Sequence, residues 1–201
     1  MGLDYRYLLY FERDRLRDAL EGVVEMSEDY SHPPAVVRFP VGEVSIPLAP
    51  WSSPDGTFNY DDAELRFACS LRFDEDGAIA EYIGNFRDDP ESRVLTAADG
   101  TRQFAVGYIY LTVRTDLGGP AGPIRFEFGT TGTRMSLLFD ESMSIRRAFI
   151  RLLECCGGIC GLFDREMGDG EVFWFKGHHL SEEVPDIDML PGEIEDLLAG
   201  S

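Results

Sequence analysis

The chain has 201 residues, 44% of them hydrophobic, and its 37 acidic against 18 basic residues leave a net charge of −19. That content suffices for a buried core and excludes collagenous and disordered classes, while no apolar run approaches the ~20 residues of a membrane span. The charge repels phosphate backbones and anionic lipids, which disfavours direct nucleic-acid or membrane binding and favours a basic protein partner.

Taken in chain order, residues 5 to 11 place Tyr5, Tyr7, Leu9 and Phe11 on one face and read as a strand. Asp14 is the expected N-cap of a helix running to Met26, on which Leu16, Ala19, Leu20, Val23 and Val24 form the apolar stripe. Ser31 to Pro34 breaks the chain. Val36 to Phe39 and Val44 to Leu48 read as short edge strands, because Pro40 and Pro47 cannot donate to a sheet interior. A long loop, Ala49 to Asp62, follows and carries Trp51. Residues 64 to 73 alternate without a fault, with Leu65, Phe67, Cys69, Leu71 and Phe73 on one side, as a half-buried antiparallel strand requires. A short helix is expected over Ala78 to Ile83, and a surface loop over the polar stretch 85–103. Phe104 to Thr115 is apolar on both faces and suits a central strand.

Leu117 to Pro123 is the sharpest Gly/Pro break. Beyond it, Ile124 to Phe128 and Arg134 to Phe139 are expected to form a hairpin around Gly129-Thr130-Thr131-Gly132-Thr133. A second helix, capped by Ser142 or Ser144, carries Ile145, Ala148, Phe149, Leu152 and Leu153 at the spacing of the first helix's stripe. Ile159 to Phe163 and Glu171 to Phe175 then form a hairpin around 168–170. The strand, helix and hairpin of the first half are thus repeated in the second, giving pseudo-repeat halves 1–116 and 124–180 within one compact domain, 1–201. The acidic segment 181–201, with Ile194, Leu197 and Leu198 at helical spacing, either docks in a partner's groove or packs on its own domain. The expected fold is α+β, with a mixed, mostly antiparallel sheet of about seven to nine strands and two main helices side by side on one face. The opposite face, carrying Arg66, Arg72 and Glu127, is left to solvent or long loops.

Chemistry-bearing motifs are sparse. Lys176 is the only lysine and follows no Gly-rich loop, which removes a Walker-type phosphate site. Cys155, Cys156 and Cys160 lack metal-ligand spacing relative to His178 and His179, so no metal is expected and buried thiols are the reading. Without a recognisable signal peptide, the four cysteines point to reduced thiols in the cytoplasm. Arg13 and Arg17, with Asp14, Asp18 and Glu21, read as helix-surface ion pairs.

The most suggestive run is Gly129 to Arg134. Hydroxyls of Thr130, Thr131 and Thr133, backbone N–H groups and the Arg134 fork could cradle an anion beside Glu127. Glu127-Phe128-Gly129-Thr130-Thr131 resembles the acidic-x-Gly-Thr-Thr phosphate hairpin of the actin-like ATPases. The likeness covers this run alone, has Glu where that family uses Asp, and lies in a chain too short for its two large lobes, so it implies no ATPase activity. Two functional expectations follow. One is a non-enzymatic protein-binding or regulatory module, like a small acidic inhibitor or immunity protein, that uses no cofactor. The other is a small hydrolase or phosphate-binding protein built on Gly129 to Arg134. A homo-oligomer with Trp51 or Trp174 at its interface is a third arrangement compatible with the sequence.

Overall fold

A computed structural model gives the fold and describes residues 2–28, 33–51, 53, 55–85, 94–96, 100–119, 121–166 and 170–200. Ser31 and His32 of the expected break, most of the expected 85–103 loop and the tip of the 168–170 turn lie outside the described residues. In chain order the elements are β1 (Arg6–Phe11), a single 3-10 turn (Arg13–Arg15), α1 (Leu16–Met26), β2 (Ala35–Arg38), β3 (Glu43–Ile46), β4 (Ala49–Pro50), β5 (Thr57–Asn59) and β6 (Glu64–Asp74). They continue with α2 (Gly77–Gly84), β7 (Val94–Thr96), β8 (Arg102–Arg114), β9 (Ile124–Gly129), α3 (Thr133–Glu141) and α4 (Met143–Cys156). The chain closes with β10 (Gly158–Asp164), β11 (Gly170–Phe175), β12 (His178–Val184) and α5 (Pro191–Ala199).

The architecture is α+β. One antiparallel sheet runs β12-β11-β10-β1-β9-β8-β6-β4, with β7 beside β8. A small second sheet, β3-β2-β5, supplies the one parallel pairing among the described residues, between β2 and β5. The strand read most firmly from alternation, β6, pairs along β8 and buries Leu65, Phe67, Cys69, Leu71 and Phe73. β12 is a strand that alternation does not reveal, because His178, His179, Ser181, Glu182 and Glu183 are polar and it forms the sheet edge. Lys176 and Gly177, with φ of 46° and 88°, make the tight two-residue turn that folds it onto β11.

The apolar stripes do bury α1 and α4 on one face. Leu16, Ala19, Leu20 and Val23 of α1 and Ile145, Ala148, Phe149, Leu152 and Leu153 of α4 share a core with Tyr7, Phe128, Phe163 and Phe173 of the sheet. Tyr7 stands at its centre, within 4.7 Å of the Phe149 ring and 4.6 Å of the Phe163 ring, and its hydroxyl donates to the Phe139 carbonyl at 3.0 Å. Asp14 is not the cap of α1. The chain enters through the 3-10 turn, closed by Arg15 N–H on the Glu12 carbonyl, which carries Asp14 past the capping position. Ser142 does cap α4, accepting from Ile145 N–H at 3.2 Å. Asp76 holds two helices at once, accepting from Ile79 N–H of α2 and from the Ser142 hydroxyl and Ser144 N–H of α4.

The strand expected over Arg134 to Phe139 is instead helix α3. Met135, Leu138 and Phe139 fall at i, i+3 and i+4 and are buried together, so helical periodicity prevails over the hairpin that the Gly/Thr run suggests. The two halves therefore share the helix α1/α4 but differ in what surrounds it: α3 separates β9 from α4, and β2–β3 leave the main sheet whereas β10–β11 join it.

The second face of the sheet is divided. Beneath β1 and β10–β12, a separate apolar cluster of Leu8, Tyr10, Leu162, Val172 and Val184 is covered by Ile187, Met189, Leu190 and Ile194 of the C-terminal segment. Tyr10 donates its hydroxyl to the Met189 carbonyl at 3.2 Å, and Arg125 reaches Asp188 at 2.9 Å. The acidic tail thus packs on its own sheet.

Candidate functional site

The five residues expected to cradle an anion do not converge. Thr130 is buried, its hydroxyl 2.7 Å from that of Ser136. The Thr133 hydroxyl oxygen accepts from Leu3 N–H at 3.2 Å, and the Thr131 hydroxyl is turned to the Met135 sulfur. Glu127 lies on the second sheet face, accepting from Arg114 Nε at 2.7 Å and Arg125 Nε at 2.9 Å. Arg134 is on α3 and lines a small pocket with Tyr82 of α2 and with Glu141. Since α3 stands where the returning strand of a phosphate hairpin would be, the likeness to the actin-like ATPases stops at the loop sequence.

A larger concavity, about 530 Å³, opens between α1 and α4 at the end of β6. The helices meet antiparallel because Gly22 lets them. A Cβ there would lie 2.6 Å from Leu152 Cδ1 and 3.0 Å from Cys156 Sγ. Glycine inside a helix costs about 1 kcal/mol relative to alanine, offset here by the close approach. Ala148, Leu152, Met26 and Gly22 give the groove an apolar floor. Its α1 wall carries Asp18, Glu21 and Glu25, and the other end carries Arg72, Asp74 and Arg151.

The charges on this rim are unevenly matched. Arg151 pairs with Asp74 at 3.0 Å, and Asp18 with Arg15 at 3.1 Å. Glu21 and Glu25 have no cationic side-chain partner among the described residues. The arginines expected to pair along α1 are used elsewhere: Arg17 donates to the Val41 carbonyl at 2.8 Å and lies over the Phe39 ring, while Arg13 binds the Thr115 carbonyl. Arg72, expected on the second sheet face, instead donates to the Glu25 carbonyl at 3.1 Å beside the groove. The expected pairing of Glu21 within its own helix hides this groove in the sequence. The acidic residues at i, i+3 and i+7 beside the apolar stripe were the signal present.

The groove's electrostatics disfavour thiol chemistry. Burial, then Cys155, Asp18, Glu25 and Glu21, push the Cys156 thiol up to about 11, so it stays protonated at neutral pH. Cys69 and Cys160 are pushed up to about 12 by burial alone. Cys156 borders the helices whereas Cys160 lies in the cluster on the second sheet face, so the two do not share a site. Among the described residues no three His, Cys, Asp or Glu side chains gather as a metal site would require. No helix there is long and apolar enough to cross a membrane.

The half of the second face away from the C-terminal segment has a different character. Trp51 stacks on Tyr110 with centroids 4.8 Å apart and planes at 23°, and Trp51, Tyr108 and Tyr110 are 55%, 46% and 40% exposed. Beside them, Arg66 and Arg114 flank Glu64, and Arg114 links onward to Glu127 and Arg125. Trp174, by contrast, is 3% exposed and belongs to the core.

No known protein family, curated protein or solved structure matches this chain.

Proposed function

We propose that this chain is a non-enzymatic binding module that holds a basic, amphipathic segment of a partner protein in the groove between α1 and α4. The observation that carries the reading is an apolar floor bordered by Glu21 and Glu25, two carboxylates that no cation of the described chain neutralises. A helix laid along such a groove buries its apolar side on the floor and offers Lys or Arg to the rim. The net charge of −19 steers a basic partner toward the surface and speeds encounter at low salt.

A labelled peptide with Leu at i, i+3, i+4 and i+7 and Lys elsewhere is the probe, with fluorescence anisotropy as the readout. Binding is expected to be saturable and to weaken as salt rises. Glu21→Lys/Glu25→Lys should weaken it by on the order of a hundredfold, two lost charge contacts at roughly 1–2 kcal/mol each. Glu182→Lys/Glu183→Lys on β12 makes the same change in net charge and should weaken it far less. Equal losses in the two variants would overturn the groove as the site and leave only general attraction between opposite charges.

A further inference from the structure

Resting on the groove between α1 and α4 as the binding site, we infer that the segment it holds is bipolar: beside the Lys or Arg offered to Glu21 and Glu25, its terminal turn carries a carboxylate that pairs with Arg72. Arg72 lines the groove at the end of β6. One of its N–H groups donates to the Glu25 carbonyl at 3.1 Å, which anchors the guanidinium at the last turn of α1. Its Nε–H is buried and meets no acceptor, and no carboxylate of the described residues pairs with it. The neighbouring cation differs, because Arg151 is already matched by Asp74 at 3.0 Å. Among the described residues, Glu21, Glu25 and Arg72 are thus the groove charges that lack an opposite charge.

The physical reason is desolvation. A helix laid over the apolar floor takes water from the rim, and a charge buried there without a counter-charge is strongly unfavourable. Lysines answer Glu21 and Glu25 but repel Arg72, so a wholly basic segment leaves one end of the groove mismatched. A carboxylate at that end completes the match. The guanidinium is already held by Glu25 and presents its remaining N–H groups in a fixed plane. Glu21 and Glu25 stand about 6 Å apart along α1, and Arg72 lies at the helix end beyond Glu25. The fitting pattern is therefore two basic residues a turn apart, then an acidic residue a further turn toward β6. Such an order lets the groove reject segments that are merely basic.

Anisotropy with derivatives of the Leu/Lys peptide on the full chain tests this. One Lys in the first turn, or one in the last, is replaced by Glu and in a matched peptide by Gln; both ends are tried because reversing a helix in the groove exchanges its termini. At one end Glu should bind the wild type about tenfold more tightly than Gln, although the Glu peptide is the less basic. Arg72→Gln should abolish that preference and Arg72→Lys should keep part of it. The Gln peptide should bind both variants about as well as the wild type, which shows the groove intact. A Glu peptide no tighter than its Gln counterpart at either end would overturn the inference, and so would a preference that survives Arg72→Gln. The wild-type comparison needs no variant, so a poorly folded Arg72→Gln still leaves a decisive result. If the parent peptide binds and Glu21→Lys/Glu25→Lys weakens it, the groove stands even where the Glu preference is absent; if no peptide binds, both fall.

Discussion

The two faces of the main sheet are built from the same strands yet solve different problems. The helix face is one continuous aromatic and aliphatic core, in which the Phe149 ring centroid lies 4.7 Å from those of Tyr7 and Phe128 and the ring edges against Phe73 and Phe139. The second face is split between a small apolar cluster under the tail and a ladder of arginines and carboxylates leading to an exposed Trp–Tyr stack. The first face supplies burial, which is non-directional. The second is held by directional pairs, which fix where the tail and the exposed rings lie.

That contrast can be broken most severely on the helix face. Phe149→Ala should cost about 3–5 kcal/mol, the range for an aromatic deleted from a close-packed core, seen as a lower denaturant midpoint with an unchanged slope. On the second face Glu127→Ala should cost about 3 kcal/mol, because it leaves the buried Arg125 without its main counter-charge. Here the faces should diverge. Replacing the pair together, Arg125→Met with Glu127→Leu, should recover most of that loss, whereas no second substitution refills the Phe149 cavity so simply. Equal losses in the single and double variants would mean that the ladder acts by packing.

The smallest expected effect sharpens the account of the helix layer. Burial alone would raise the Asp76 carboxyl, but the Ile79 and Ser144 N–H groups and the Ser142 hydroxyl outweigh it and hold it below the usual carboxylate range. Its contribution is therefore complete above pH ~4 and is lost as pH falls through the lowered value. Asp76→Ala should cost about 1–2 kcal/mol at neutral pH. The gap between variant and wild type in urea unfolding should narrow in acid, and a gap that stays constant would remove Asp76 as the titrating cap.

Periodicity made the helix face legible. The stripes of α1 and α4 and the alternation of β6 name their buried residues directly, since a face that must be dry is written in period. The second face was harder to read because its order depends on pairings across distant strands, such as Arg125 with Asp188, that leave no local pattern. β12 was hidden by its polar edge composition, and α3 by a Gly/Thr run that resembles a turn. The groove depended on where Arg17 points, which its own helix does not determine.

The position of β1 has a consequence for the making of the protein. This first strand is central, with Arg6 opposite Gly129 of β9 on one side and Asp164 of β10 on the other. On the ribosome β1 emerges more than a hundred residues ahead of either neighbour. Long-range pairing of this kind slows folding and keeps an apolar strand available to wrong partners in the interval. Until β9 and β10 emerge, the pairing edges of β1 have no native partner.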